Sequence, residues 1–471
     1  MATSKTVTYG DNPIQTMSQD WLSRGSACDA LLSILQTANL DMPLAIGIYG
    51  AWGSGKTSLM RMLVNKLEQD SVYIWFNAWE YAQQREALWR AFLLQFVTQF
   101  QKDDVLARLV AGRKHASEPT SAQIDQEQAA LRENLDRMIV SLYRTHTFHD
   151  TEGYKVNWQS AAWLGARSIV RMLAPVVGEE GLKAIQKQFA EGKDVENMLQ
   201  LFEKKQSEDY RQHMTSLEQF RMALHALIQQ YINETGRRLF VFVDDLDRCL
   251  PEDALSVLES IKVFFEPPSG DALNCVFILG MDRAIIEQGI RLRYESAGPP
   301  AAPAVAINAR QYLDKIIQLP FTIPPLNTSQ MTQFIKRWAQ DYGKPELASC
   351  ANLIATGIAP NPRSVKRILN VLCLMLALRK VEAETIGSSL GLLAKIVVLQ
   401  TSYDHLYAEI VGNPALLKDM EVAAARPGKD AGVDAKIQPY PQVVEMMRLE
   451  PFFPNDLESL NKLIFFTRVS E

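Results

Sequence analysis

The segment Gly50-Ala51-Trp52-Gly53-Ser54-Gly55-Lys56-Thr57 has the pattern G-x-x-x-x-G-K-[ST], and its flanks allow it one local fold. An apolar run, Leu44–Tyr49, leads into it, and a helix-forming run, Ser58–Val64, leads out. Strand, loop and helix in that order make a phosphate-binding loop. The glycines let successive backbone N–H groups converge on an anion with no side chain in the way. The free N–H groups and dipole of the helix start add a local positive potential. Gly50, Ala51, Trp52, Gly53, Ser54, Gly55, Lys56, Thr57 and Ser58 are therefore the candidate nucleotide-binding residues. Lys56 is suited to the outer phosphates, and the Thr57 hydroxyl to Mg²⁺.

A second stretch has the complementary chemistry. Leu239-Phe240-Val241-Phe242-Val243 ends in Asp244-Asp245, followed by Leu246-Asp247-Arg248. Five apolar residues running into two acids have the form of a Walker B strand, buried on both faces and ending in carboxylates. Asp244 is assigned to Mg²⁺, through water, and Asp245 to polarising the attacking water. Another apolar run, Cys275–Met281, ends in Asp282-Arg283. In additional-strand ATPases the strand after Walker B lies between it and the P-loop strand. Asp282 is then either a γ-phosphate sensor or a salt-bridge partner of a neighbouring arginine.

The remaining segments surround these strands. Val72–Asn77 reads as a further buried strand, and Ser26–Thr37, Glu86–Phe100 and Glu252–Phe265 as helices. The aromatic residues Tyr73, Trp75, Phe76, Trp79, Tyr81 and Trp89 read as core packing in preference to base stacking. From about 101 to 230 the chain is rich in Glu, Gln, Lys and Arg at helical periodicity, an all-α insertion with a loop near 145–154. Residues 296–306 are a Pro/Ala-rich loop, and Ile323-Pro324-Pro325 ends a last strand. Residues 328–412 are helical; in them Asn361 caps a helix that Pro362 opens, with Arg363 near its start. An arginine there, with Arg367 beside it, suits γ-phosphate sensing. Residues 426–436 read as a Gly/Ala-rich linker, and 452–466 as an apolar tail that docks back.

The chain has 471 residues, 47% hydrophobic and 22% charged, enough for two or three cores. A net charge of −5 argues against a protein that coats nucleic acid. Five scattered cysteines, none in C-x-x-C spacing, read as reduced thiols and a cytoplasmic location. His146 and His149 stand in no metal-binding context. The start has no secretory signal, and no integral membrane segment is expected. The closest approach, Trp158–Val177, contains Arg167 and Arg171, each costing about 2.5–3.5 kcal/mol at mid-membrane.

Together these motifs resemble the KAP family of P-loop NTPases. The matching residues are Gly50–Thr57, Phe76-Asn77-Ala78-Trp79-Glu80-Tyr81, and Val243-Asp244-Asp245-Leu246-Asp247-Arg248-Cys249 with Pro251-Glu252. Tyr312–Ile316, Asn361-Pro362-Arg363 with Lys366, Arg367 and Asn370, and Phe466-Thr467-Arg468 complete the set. The resemblance implies an α/β fold with ATP as the nucleotide. The expected architecture is an additional-strand P-loop core with a parallel sheet, an all-α insertion between the Walker motifs and a C-terminal helical lid. The expected division is core 1–100 and 231–326, insertion 101–230, lid 327–425, and linker with docking tail 426–471. Bacterial members include phage-exclusion proteins, so antiviral defence is what the resemblance suggests. The expected function is Mg²⁺-dependent ATP hydrolysis driving a conformational switch in a larger assembly, with a homo-oligomer or protein partners. Lys56 and Asp245 carry the chemistry; Arg248 is either a finger reaching a neighbouring subunit or a residue of its own site. Three rivals stand beside this reading: a non-hydrolysing ATP-gated scaffold, a nucleic-acid-stimulated motor and a small-molecule kinase.

Overall fold

The computed structural model describes residues 10, 12–37, 40–67, 71–82, 88–111, 120–144, 210–265, 272–295, 309–379, 390–428 and 431–468. The expectations for 145–154, 158–177, 296–306 and the pair His146 and His149 fall outside them. The chain divides into two compact units. One draws on Thr37–Tyr49 and Leu67–Phe321, the other on Met1–Gln36, Gly50–Lys66 and Thr322–Glu471.

The first unit holds the sheet. Its strands are β1 (Leu44–Tyr49), β2 (Val72–Asn77), β3 (Leu239–Asp244), β4 (Cys275–Met281) and β5 (Leu319–Thr322), in the order β2-β3-β4-β1-β5. The pairs β2–β3, β3–β4 and β4–β1 are parallel. As expected, the strand after the two acids lies between them and the strand that leads into the glycine-rich loop. Every residue of β1, β3 and β4 is buried, which is why each reads as an unbroken apolar run. β2 lies at the edge and alternates, leaving Tyr73 exposed. The register sets Asn77 beside Asp244, Val243 beside Leu279, and Tyr49 beside Met281. The carboxyl ends of these four strands therefore share one edge of the sheet, the edge where open α/β sheets place their chemistry.

Helices cover the sheet with aromatic residues at helical spacing. Phe92, Phe96 and Phe100 on the helix Leu88–Phe100 are fully buried, as is Phe265 at the end of the helix Pro251–Phe265. The Phe265 ring lies 5.2 Å from Phe96 and 4.8 Å from Phe277 of β4. Each such side chain contributes about 1.5–3 kcal/mol by leaving water. Pro251 occupies the first helical position, one residue earlier than the expected start, where its missing N–H costs nothing. The described helices of the 101–230 stretch, Asp103–Ala111, Ser121–Arg144 and Tyr210–Ile228, bury Leu106, Leu109, Leu135, Leu142 and Leu224 in this same core. In the described residues the insertion is thus part of the sheet's own core.

The second unit is helical. The helix Gly25–Leu35 buries Cys28, Leu31 and Leu35 but leaves Ile34 exposed, and it packs against the helix Lys56–Lys66 that follows the loop. The helix Thr328–Asp341 begins with a reciprocal cap. Asn327 accepts from the Gln330 N–H at 2.8 Å, and the Gln330 side chain accepts from the Asn327 N–H at 3.1 Å. It buries Met331, Phe334, Ile335 and Trp338. The stretch 426–436, expected to be a linker, instead contains a helix, Ala431–Ile437, which buries Val433 and Ile437 in the core of this unit. Val433 and Ile437, four apart, share the helix face that packs into this core. The last helix, Leu457–Arg468, buries Leu460, Leu463, Ile464 and Phe466 in that core. Among the described residues no helix is long and apolar enough to cross a membrane.

Candidate functional site

The candidate residues fall into two groups, one in each unit. In the helical unit the loop after Gly50 takes the backbone shape its sequence requires. Gly53 has φ +82° and Gly55 φ +100°, conformations closed to most side chains. A Cβ on Gly53 would come within 2.6 Å of Asn361 Oδ1 and 2.8 Å of Arg363 Cβ, whereas one on Gly55 would meet nothing within 4 Å. Lys56 opens the following helix and is 7% exposed; its ammonium donates to the Gly50 carbonyl at 2.9 Å and the Ala51 carbonyl at 3.4 Å. The Ser54 hydroxyl oxygen is buried without a hydrogen-bond partner. A concave backbone with open space at Gly55, a buried lysine and an orphaned hydroxyl together fit a phosphate chain. The Ser58 hydroxyl accepts from the Ile14 N–H at 3.2 Å and keeps its own proton to donate. Thr57 is half-buried at the first helical turn.

The same unit fastens the loop to the start of the helix Pro362–Arg379. Asn361 caps that helix through the Arg363 N–H at 3.0 Å and also donates its amide to the Trp52 carbonyl at 2.8 Å. The Arg363 guanidinium rests over the indole of Trp52, 4.4 Å from the ring centroid. The cap and the position of Arg363 follow the sequence reading. The clasp on Trp52 does not, since it joins residues 309 apart along the chain. Arg367, one turn on, is exposed.

In the sheet unit, Asp244 ends β3 at 2% exposure and accepts the Asp245 N–H at 2.9 Å. Asp245 follows in the left-handed conformation, φ +58°, one of two non-glycine residues with positive φ among those described. Such a backbone costs about 1–3 kcal/mol and persists where its surroundings fix it. A 3₁₀ turn, Leu246–Arg248, returns the chain so that Arg248 meets the carboxylate of Asp245 at 2.9 Å. The arginine side chain is 29% exposed and that of Asp245 12%, so this pair is better shielded than a surface ion pair. Arg248 is thus engaged by the acid of its own chain. Cys249 next to it is buried and donates its thiol to the Asp245 carbonyl at 3.6 Å; burial pushes that thiol up to about 12.

Asp282, at the end of β4, accepts the Ala284 N–H at 3.0 Å and so caps the helix Arg283–Glu295. The alternative of a salt bridge with the neighbouring arginine is not what forms. Arg283 turns to Glu287 at 2.7 Å and Asp314 at 3.5 Å, and lies over the Tyr49 ring at 5.4 Å. Among the described residues no group of three or more His, Cys, Asp or Glu side chains gathers to hold a metal unaided. The Thr57 hydroxyl in one unit and the Asp244 carboxylate in the other are each oxygen ligands of the kind that Mg²⁺, a hard cation, takes.

Residues 24–379 match the profile of the KAP family P-loop domain. Over 60 residues, 11% of its length, the chain is 35% identical to an uncharacterized protein of Methanocaldococcus jannaschii, and it spans 31% of that relative. Among solved structures, the Walker-type ATPase PABY2304 of Pyrococcus abyssi is similar at a TM-score of 0.33 and 12% identity, over 93% of this chain and 99% of that one.

Proposed function

The chain belongs to the KAP family of P-loop NTPases, and from that premise we propose that it binds ATP with Mg²⁺ and hydrolyses it to drive a conformational switch. The observation that carries hydrolysis, beyond binding, is Asp245. It is an acid set directly after the buried Asp244, in a left-handed turn, with one carboxylate oxygen fixed by Arg248. An oriented carboxylate directly after the buried end of a strand is placed to accept a proton from water, and the strained turn that fixes it supports hydrolysis over a scaffold.

In this reading the backbone of Gly50–Gly55 and the Lys56 ammonium bind the phosphates. Mg²⁺, held by Thr57 and through water by Asp244, would neutralise phosphate charge as it builds. The water oxygen bonds to the γ-phosphorus, and its proton passes to Asp245. The bond from that phosphorus to the bridging oxygen breaks, and ADP and phosphate leave. Arg363, with Arg367 near it, reports the nucleotide to the helix Pro362–Arg379, since the clasp on Trp52 already ties that helix to the loop. Asp282 acts through the helix it caps. A cytoplasmic place, partners or further copies of the chain, and a role in antiviral defence rest on the family resemblance.

Asp245→Ala tests the assignment. It is expected to bind ATP as the wild type does while phosphate release falls at least about 10²-fold. Release within two-fold of wild type would remove Asp245 from the chemistry. A variant that retains cellular activity without turnover would favour the ATP-gated scaffold.

A further inference from the structure

Trp79 is aromatic, belongs to the residues expected in the core, and is 44% exposed. Its position follows from the end of β2. Asn77, the last residue of that strand, pairs in register with Asp244. Its side chain accepts the Trp79 N–H at 3.1 Å and donates to Glu80 at 3.2 Å, which winds the chain at once into the helix Ala78–Ala82. The indole is thereby set beside the turn that follows β3, with the Arg248 guanidinium over its face, 5.4 Å from the centroid. That guanidinium bonds to Asp245 through Nη2, while its Nε is buried without a hydrogen-bond partner. The Asp245 contact holds only one end of the guanidinium and leaves its plane free to turn. The ring face supplies the missing restraint, because a guanidinium lying flat on an indole is attracted by the ring quadrupole and restricted in its plane.

We propose that Trp79 is a positioning residue for hydrolysis: its indole holds Arg248, and Arg248 holds the Asp245 carboxylate in one orientation. The inference rests on the hydrolytic reading above and adds a part to it. Neither Trp79 nor Arg248 takes or gives a proton. Both narrow the orientations of the base, so their loss lowers turnover and leaves nucleotide affinity alone. Because the indole is nearly half exposed, its removal leaves no sealed cavity, and the fold survives the substitution.

The test compares wild type, Trp79→Leu and Trp79→Phe in the full chain. ATP turnover is measured with Mg²⁺, and in parallel the rate at which iodoacetamide labels Cys249, read by peptide mass spectrometry. Labelling of Cys350, buried in the helical unit, serves as the control for general unfolding. Trp79→Leu is expected to lower kcat about ten-fold at unchanged KM, and Trp79→Phe, which keeps a ring face, to restore most of it. A kcat within two-fold of wild type, or one that Trp79→Phe fails to restore, overturns the inference. If the wild type itself releases no phosphate, the hydrolytic reading fails and Cys249 decides the arrangement. Faster labelling in Trp79→Leu than in wild type, with Cys350 unchanged, supports the hold of the ring on the turn; equal rates overturn it.

Discussion

Gly53 and Gly55 share a left-handed backbone but differ in what surrounds them. Gly53 is confined by Asn361 and Arg363, so Gly53→Ala adds a clash to the backbone strain. We expect a loss of about 1–3 kcal/mol, read as a fall in Tm of about 2–4 °C for each kcal/mol. Gly55 faces open space, so Gly55→Ala meets the strain alone but puts a methyl where phosphate oxygens would pack. Its expected signature is weakened ATP binding with a smaller change in Tm, measured by titration calorimetry and thermal scanning. Equal Tm losses for the two would mean that the clasp at Asn361 contributes nothing. These glycines, Lys56 and the two aspartates were legible because each is fixed by its immediate neighbours in the chain. Trp79 on Arg248 and Arg363 on Trp52 were not, because each joins segments far apart in sequence, and aromatic residues at such positions read equally well as core.

Among the helices of the C-terminal unit, the most consequential polar contact is buried. Lys395, fully enclosed on the helix Leu390–Ser402, donates to Glu421 at 2.9 Å, and Glu421 accepts the Phe453 N–H at 3.1 and 3.0 Å. Burial pushes the Lys395 ammonium below its ordinary range, and the Glu421 hydrogen bond and charge oppose that shift. Three elements meet at this one carboxylate. Removing the enclosed cation in Lys395→Met leaves Glu421 the Phe453 N–H and, as its cation, the more distant Lys418 at 3.4 Å, and is expected to cost about 3–5 kcal/mol in urea unfolding. Adding Glu421→Leu should recover only part, because the Phe453 N–H then loses its acceptor. Full recovery in the double variant would show that the Phe453 bond contributes nothing. The strands were readable as elements because burial on both faces leaves a continuous apolar run, and the helices because their apolar residues recur three and four apart. The helix Ala431–Ile437 was missed because small residues dominate its composition, and only its packing distinguishes it from a linker. The buried pair is likewise invisible in sequence, where Lys395 and Glu421 look like two ordinary surface residues.

Across the whole molecule, all five cysteines are free and buried, in both units. Burial raises the Cys28 thiol to about 11 and the Cys249 thiol to about 12, and Cys275 still further. In the unfolded chain these thiols lose their protons near 9.0. Between that pH and 12 the unfolded state binds fewer protons than the folded one, so stability falls as pH rises. This contribution is fully present below about pH 9 and is lost through the folded values. The urea midpoint should therefore decline steadily from about pH 9 to about pH 11, and native protein at about pH 8 should resist thiol reagents. A midpoint flat over that range would contradict the assignment. An α/β P-loop protein with this loop and these acids is expected to turn ATP over. The most direct test is phosphate release from ATP and Mg²⁺ by the purified chain beside Lys56→Ala, across a series of protein concentrations. Release by the wild type that the variant lacks is expected, rising with concentration if a further copy completes the site. ATP bound with no release at any concentration would contradict it and leave a nucleotide-gated scaffold in its place.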